Sequence, residues 1–198
     1  MFYIDKKVAD LRPEDYKFIV DNLKAGKIFV LPTDTIYGLS CIATNKAAVS
    51  KIFSIKNRKK NKPFITLVSS ISMATRYAKM EKGVLENIKI IWQDKRPTTI
   101  ILPAKIKFPD GVLSSDGNIS LRLPKSEFLI KMIRRLGVPI ISTSLNRSGD
   151  KPFRNVKNLE KVFTKKLSPD FVLNSGPSLN TKPSSILDLS QGGIKVIR

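Results

Sequence analysis

Short apolar runs alternate with amphipathic segments along the chain, a pattern typical of α/β proteins. We predict strands at residues 27–32, 62–69, 98–104, 118–124, 138–144, 170–176, 184–190 and 194–198. We predict helices at 13–26, 45–58, 125–137 and 155–167, and a longer helical span at 72–93 that is interrupted near Gly83. Because strands and helices do not alternate regularly, we expect a twisted, mixed sheet with flanking helices.

Local signals support several of these elements. The segment 13–26 opens with proline and two acids and ends in glycine, as helices commonly do. In 45–58, the residues Ala48, Ile52 and Ile55 share one helical face. The stretch "SQGGIK" at 190–195 predicts a hairpin turn between the last two strands. No linker rich in Pro, Gly or Ser divides the chain, so we expect a single domain over residues 1–198.

The composition is ordinary for a globular protein, with 41% hydrophobic and 26% charged residues over 198 positions. The N-terminus is charged too early for a signal peptide, and no apolar run is long enough to span a membrane. A single cysteine excludes an internal disulfide and fits a reducing cytosol. We therefore expect a cytoplasmic protein without a membrane partner.

The absence of histidine limits the chemistry. It excludes Ser-His-Asp and Cys-His catalysis and every metal site that needs histidine. The one cysteine, Cys41, cannot form a thiolate zinc site, so we predict no protein-bound metal. Cys41 lies in the apolar stretch "GLSCIA" with no base beside it, and we interpret it as a small core residue. The remaining possibility is catalysis that depends on the positioning of substrates and on fixed charges of the protein.

The chain is strongly basic, with 36 Lys and Arg against 16 Asp and Glu and a net charge of +20. Such a surface favours polyanions, which include RNA and phosphorylated substrates. The lysines are scattered, however, as a lysine-rich host proteome alone would produce. The charge therefore favours an anionic partner without identifying it.

Two predicted strands lead into hydroxyl-rich segments. "PTDTIYGL" at 32–39 follows the strand 27–32, and "ISTSLNRSG" at 141–149 ends the strand 138–144. Either segment could be an ordinary polar turn. Two such ends in one sheet favour a shared ligand cleft.

Two further places combine basic residues with a predicted strand or helix end. The helix 45–58 runs out into five basic residues between Lys56 and Lys62. Lys56 and Arg58 could converge on one phosphate. Alternatively, the basic run faces solvent, as charged helix ends commonly do, and in that case we expect it to contribute little to the stability of the fold. Arg122 lies within a predicted strand, where arginine usually faces solvent but can also clamp a carboxylate. No glycine-rich phosphate loop is present, so side chains and isolated backbone amides would have to hold a nucleotide.

Taken in order, these segments resemble the YrdC/TsaC family, the threonylcarbamoyl-AMP synthases. The resemblance covers nearly the whole chain through "PTDTIYGL", "KIFSIKNRKKNKPFITLV", "SLRLP", "PIISTSLNRSGDKP", "SSILDLS" and the closing "VIR". Its most telling motifs are Lys56-Asn57-Arg58, the family's K-x-R, and Ser144-Leu145-Asn146, its S-x-N. The length matches the family's short form, which lacks the extra C-terminal domain of longer members.

The resemblance implies that L-threonine, bicarbonate and ATP condense to threonylcarbamoyl-AMP with release of pyrophosphate. The product would pass to proteins that modify the adenosine beside the anticodon of certain tRNAs. Mg²⁺ would arrive with ATP. The family's fold implies a twisted α/β sheet with a large, basic, concave cavity.

The resemblance also implies roles for individual residues. The catalytic residues would be Lys56, Arg58, Ser144 and Asn146. The nucleotide would contact Arg58, Lys62, Asn118, Asn146, Arg154 and Arg198. Threonine would contact Thr35, Arg122, Ser144 and Ser185.

The sequence departs from the family pattern at three places. "WQDKRPTT" replaces a Trp-Pro-Gly-Pro turn, Ser40 replaces a common glycine, and Arg154 stands where Thr or Ser is frequent. Two alternatives stay open. One is a YciO-like paralogue with the same fold and another or weaker activity. The other is a non-catalytic protein that uses the basic cavity to bind double-stranded RNA. K-x-R together with S-x-N favours the synthase, and no aromatic RNA-binding signature is present.

Overall fold

A computed structural model describes residues 1–58, 62–157, 159–164, 166–178 and 183–198. The described residues form ten strands, which are β1 (Phe2–Asp5), β2 (Phe29–Leu31), β3 (Gly38–Ile42), β4 (Ile65–Leu67), β5 (Thr98–Pro103), β6 (Asn118–Arg122), β7 (Ile140–Ser144), β8 (Phe171–Asn174), β9 (Ser185–Asp188) and β10 (Lys195–Val196). They also form five α-helices, which are α1 (Pro13–Lys24), α2 (Lys46–Lys56), α3 (Ile71–Tyr77), α4 (Lys82–Gln93) and α5 (Glu127–Leu136).

All ten strands belong to one sheet, in the order β1-β8-β2-β3-β7-β4-β6-β5-β9-β10. The pairs β1–β8, β2–β8, β4–β6 and β5–β9 are parallel, and the other neighbours are antiparallel. The prediction of a mixed sheet is therefore confirmed, as is the hairpin between β9 and β10. Because β3 runs antiparallel to β7, Gly38 lies opposite Ser144, and the two hydroxyl-rich segments meet.

Helix ends follow side-chain signals in the sequence. Asn45 caps α2 by accepting a hydrogen bond from the Ala48 amide at 3.0 Å. Asn57 ends the same helix in the left-handed conformation, with φ of 49°. Ser126 caps α5, and Gly137 ends it with φ of 79°.

The apolar faces pack into two buried clusters. One cluster joins α1, α3, α4 and α5 to β5 and β6. The other joins α2 to β3 and contains the predicted face of Ala48, Ile52 and Ile55, together with Cys41. The interpretation of Cys41 as a core residue is confirmed, and burial raises the pKa of its thiol.

The sequence patterns did not predict β1 or β3. The residues of β3, "GLSCI", include glycine and serine, which favour strands weakly. The strand forms because it pairs with β2 on one side and with β7 on the other. Tertiary pairing thus overrides local preference.

The prediction of a helix at 155–167 is wrong for its described residues. They contain only a 3₁₀ turn at Leu159–Lys161, while residues 158 and 165 lie outside the described part. The Asn155 side chain accepts from the Lys157 amide at 2.9 Å, and the hydroxyl of Tyr3 accepts from the Leu159 amide at 3.0 Å. These partners replace helical hydrogen bonds.

The predicted span 72–93 forms two helices, α3 and α4. The interruption is confirmed, but it lies at residues 78–81, and Gly83 sits in the first turn of α4. Ala78 bridges to Ala104 at the break. Within the described residues, no helix has the length and apolar character needed to cross a membrane.

Candidate active site

A cavity of about 700 Å³ lies over one face of the sheet. Side chains two residues apart on a strand share a face, so Ser120 and Arg122 of β6 both line it, as do Ser142 and Ser144 of β7. Ile65 of β4 lies in register between Ser120 and Ser142. The floor therefore combines hydroxyls, aliphatic groups and one guanidinium.

The loop between β2 and β3 forms one wall, and its hydroxyls also fold the loop itself. Thr33 Oγ1 donates to the Ile36 carbonyl at 2.6 Å and accepts from the Thr35 amide at 3.1 Å. The hydroxyl of buried Tyr37 donates to the Gly176 carbonyl at 2.6 Å. The segment is both a polar turn and a cavity wall, since Thr33 and Thr35 line the cavity.

Arg122 is buried beside this loop and does not face solvent. Its Nη2 lies 2.6 Å from Asp34 Oδ2, and the two side chains are 7% and 10% exposed. Its Nη1 donates to Thr35 Oγ1 at 3.4 Å, while Nε has no hydrogen-bond partner among the described residues. Asp34 Oδ2 also accepts from the Lys125 amide at 3.0 Å. A guanidinium beside a hydroxyl suits a ligand that carries a carboxylate.

Arg58 is a second cation of the cavity. Its Nε donates to the Lys62 carbonyl and its Nη2 to the Pro63 carbonyl, each at 3.1 Å. Its Nη1 lies 3.5 Å from Thr143 Oγ1, and its guanidinium carbon lies 4.9 Å from the centre of the Phe64 ring. Burial lowers the pKa of Arg58, but a guanidinium keeps its charge in proteins. Arg58 is thus a fixed positive group.

Lys56 is 1% exposed and does not line the cavity. Its Nζ donates to the Ser144 carbonyl at 2.5 Å, to the Asn146 carbonyl at 2.9 Å and to Asn146 Oδ1 at 2.6 Å. Burial, and then the nearby charge of Arg58, lower the pKa of Lys56 to about 7. Three oxygens match the three N–H donors of an ammonium group.

The expectation that the basic run contributes little to the fold is therefore wrong for Lys56, because its side chain is buried in this network. Lys59 and Lys60, which belong to the same run, lie outside the described residues.

Asn146 completes the network around Lys56. Its Oδ1 also accepts from Ser144 Oγ at 2.7 Å, and its Nδ2 donates to the Asp150 carbonyl at 2.6 Å. The K-x-R and S-x-N motifs are thus in direct contact. Through this contact, the end of α2 holds the end of β7, which presents Ser144 to the cavity.

The segment before β9 forms another wall. Ser184 is buried, and its hydroxyl lies 2.9 Å from Thr99 Oγ1. Its carbonyl accepts from Arg198 Nε at 3.2 Å and from Nη2 at 2.9 Å. Ser184 lines the cavity, whereas its neighbour Ser185 is exposed, since adjacent strand residues point to opposite faces.

The cavity lining contains six of the predicted site residues, which are Thr35, Arg58, Lys62, Arg122, Ser144 and Arg198. The five outside the lining are Lys56, Asn118, Asn146, Arg154 and Ser185. Asn118 is buried and donates from Nδ2 to Asp116 Oδ2 at 2.7 Å, and Arg154 is exposed. The ligand contacts of all eleven stay predictions.

Sequence reasoning missed several lining residues. Ser120, Ser142 and Thr143 line the cavity without having been assigned to it. A signal was available for two of them, because Ser120 lies two residues before Arg122 and Ser142 two before Ser144. Asp34 lies within the segment 32–39 and was not predicted to belong to the site.

The charge of the lining has one sign. Its described charged residues are Arg58, Lys62, Arg122 and Arg198, and no Asp or Glu of the described chain joins them. Among the described residues, no group of three or more potential metal ligands comes together. The arrangement suits anionic ligands held by fixed cations and hydroxyls.

Comparisons with known proteins identify relatives of this chain. The Sua5/YciO/YrdC family model, described as "Telomere recombination", matches residues 21–198. A Methanocaldococcus jannaschii protein named "Putative threonylcarbamoyl-AMP synthase" is 33% identical over 200 residues, which is 97% of this chain and 90% of that protein.

Solved structures share the fold. P. abyssi Sua5 complexed with L-threonine has a TM-score of 0.84 at 22% identity; the match covers 100% of this chain and 56% of that chain, so the present chain spans little more than half of it. E. coli YciO has a TM-score of 0.83 at 23% identity, with coverage of 100% and 93%. The family model and the M. jannaschii relative confirm the resemblance: the chain belongs to the Sua5/YciO/YrdC family.

Proposed function

We propose that this protein is a threonylcarbamoyl-AMP synthase, which condenses L-threonine, bicarbonate and ATP and releases pyrophosphate. The observation that carries the proposal is the cavity itself, which combines the Arg122–Thr35 pair with the separate cations Arg58 and Lys62. The name of a relative that aligns over 97% of the chain supports it.

The reaction asks for little covalent work from the protein. The threonine amine attacks bicarbonate, which forms a carbamate and releases water. A carbamate oxygen then attacks the α-phosphorus of ATP in line, forming one P–O bond while the bond to pyrophosphate breaks. Three anions must be held close together, and fixed cations in a shielded cavity offset their repulsion.

At the amino-acid end, Arg122 would hold the threonine carboxylate through Nη1 and Nε. Thr35 and Ser144 would supply hydroxyls to threonine. Thr35 lines the cavity beside Arg122, and Ser144 lies on the cavity floor. We propose that Ser184, rather than Ser185, supplies the hydroxyl of the neighbouring wall, because Ser184 lines the cavity and Ser185 does not.

At the nucleotide end, the phosphates would contact Arg58, Lys62 and Arg198, which line the cavity. Mg²⁺ would enter as part of the substrate, held by phosphate oxygens and water. Lys56 and Asn146 would act by fixing Ser144, whereas contacts from Asn118 and Arg154 would require these residues to move. Bicarbonate would bind between the two ends, where the carbamate must form.

The adenylate would pass to proteins that transfer the threonylcarbamoyl group to tRNA in the cytoplasm. The basic surface of this chain, with its net charge of +20, would favour contact with RNA during that transfer.

The test is incubation with ATP, L-threonine and radiolabelled bicarbonate, followed by chromatography. A labelled adenylate should form, and it should be absent when any one substrate is omitted. A folded protein that makes no labelled adenylate would contradict the proposal and favour a YciO-like activity. Salt-resistant RNA binding without pyrophosphate release would favour the RNA-binding alternative.

A further inference from the structure

The four cations that line the cavity are held in different ways. Arg58 and Arg198 donate to neutral backbone oxygens. Within the described part of the chain, only Arg122 of these four has a carboxylate at ion-pair distance. Its Nη2 lies 2.6 Å from Asp34 Oδ2. The positive charge of Arg122 is therefore partly cancelled where it stands, and that of the other three is not.

Asp34 pairs with Arg122 and is not itself part of the cavity lining. Its Oδ2 accepts from the Lys125 backbone amide as well as facing Arg122 Nη2. The Asp34 side chain is 10% exposed, and its bond to the backbone would keep it beside Arg122 when a ligand enters. Any anion on Arg122 would therefore experience both the attraction of the guanidinium and the repulsion of Asp34.

That repulsion depends on the charge of the ligand. Charges in a poorly solvated site interact several times more strongly than in water. A phosphate dianion is repelled by Asp34 about twice as strongly as a single carboxylate, whereas the ammonium group of an amino acid offsets the repulsion of its carboxylate. An unpaired arginine on this floor would instead bind phosphate well.

We propose that Asp34 is a specificity-determining residue that reserves Arg122 for a ligand with one carboxylate, such as a zwitterionic amino acid. Phosphate groups are directed to Arg58, Lys62 and Arg198. This inference rests on the proposed function, which identifies the ligands. The selection between carboxylate and phosphate rests on the Asp34–Arg122 pair.

The test compares Asp34→Asn with the wild type. Asparagine keeps the size of the side chain and an oxygen for the Lys125 amide, and it removes the charge. Asp170→Asn is the matched control, because Asp170 also accepts from a lysine, Lys51 at 3.1 Å, and from a backbone amide, Ile28 at 2.8 Å, outside the cavity lining.

The dissociation constants of inorganic phosphate and L-threonine are measured by calorimetry at constant ionic strength, and phosphate inhibition of adenylate formation is measured against each substrate. In Asp34→Asn, the ratio of the phosphate constant to the threonine constant should fall on the order of ten- to a hundredfold. Phosphate should become competitive with threonine in that variant. Disorder of Arg122 alone would raise the threonine constant and leave phosphate on Arg58, Lys62 and Arg198 unchanged. The proposal therefore requires that the phosphate constant itself falls in Asp34→Asn.

An unchanged ratio in Asp34→Asn, or an equal change in Asp170→Asn, overturns the proposal. If Asp34→Asn does not fold, the wild type still decides, because phosphate that competes with threonine there also overturns it. A wild type that neither binds threonine nor forms adenylate refutes the proposed function. Even then, a phosphate site gained in Asp34→Asn would support the exclusion of phosphate by Asp34.

Discussion

The ammonium nitrogen of Lys56 lies 2.6 Å from the side-chain oxygen of Asn146, a residue 90 positions later in the chain. The contact joins the last residue of α2 to the loop after β7. Because the same nitrogen also bonds the carbonyl oxygens of Ser144 and Asn146, one amine fixes this end of the cavity floor. Lys56 thus links the end of α2 to the strand end that carries Ser144.

Replacing Lys56 by methionine should lower both stability and activity. Three oxygens lose their donor, which should reduce the free energy of unfolding by about 1–3 kcal/mol. Adenylate formation should fall at least about tenfold, since Ser144 and Asn146 lose a fixed partner. Denaturant unfolding and the adenylate assay measure the two effects. Lys51→Met on the same helix, where the lysine is 38% exposed, should change neither by much.

Stability should depend on pH through Lys56. Its pKa is lowered to about 7 in the folded protein, so between pH 7 and about 10.5 the unfolded chain binds more protons. The free energy of unfolding of the wild type, relative to Lys56→Met, should therefore rise with pH in this window, by at most about 1.4 kcal/mol per unit. Denaturant titrations from pH 6 to 10 measure the difference, and a flat difference would show that Lys56 stays charged throughout.

Removing the side chain of Arg58 should weaken catalysis far more than folding. Its guanidinium lines the cavity and is held by two backbone carbonyls, so it is placed to receive a phosphate. Arg58→Ala should reduce kcat/KM for ATP about a hundredfold or more. Arg96→Ala, at a side chain that is 82% exposed, is the control and should behave as the wild type. Wild-type turnover in Arg58→Ala would place the nucleotide elsewhere.

A methyl group at Gly38 should disturb the cavity floor. A Cβ atom there would lie 2.2 Å from Ser142 Oγ, so Ser142 must rotate or β3 must separate from β7. We expect Gly38→Ala to lower Tm and to raise KM for threonine. The double variant with Ser142→Ala removes the clashing oxygen and should recover most of the Tm. Gly83→Ala, with nothing within 4 Å, should leave Tm unchanged or raise it slightly.

The amino-acid site should prefer threonine to serine. Aliphatic residues such as Ile65 and Ile101 line the same cavity as the hydroxyls, so the extra methyl has apolar contacts available. A missing methyl in a fitted pocket should lower kcat/KM about ten- to two-hundredfold. Competition between the two amino acids in the adenylate assay gives the ratio. Equal values would argue against the placement of threonine beside Arg122 and Thr35.

The parts of the fold that could be predicted from sequence are those with local causes. The caps at Asn45 and Ser126 mark the starts of α2 and α5. A continuous apolar run marks β5, and apolar alternation marks β6. The strand at "GLSCI" could not be predicted, because its conformation comes from two neighbours distant in sequence.

The same distinction between local and long-range causes applies to the site. Arg122 and Thr35 could be assigned to the cavity from their motifs, and both line it. The burial of Lys56 could not be predicted, because its sequence context is that of a solvated helix end. The burial follows from the contact of α2 with the end of β7, which lies far away in the sequence. Ser120 and Ser142 follow from alternation once the face of the sheet is known.

The strand order of the sheet also bears on how the protein folds during synthesis. β8 lies between β1 and β2, so β2 lacks its parallel neighbour until the chain beyond residue 170 has been made. Closing such long loops is entropically unfavourable and slows folding. The wall at Ser184 and Arg198 joins even later. The cavity therefore lacks one wall until the chain has been made through Arg198, and it would be among the last parts of the molecule to be completed.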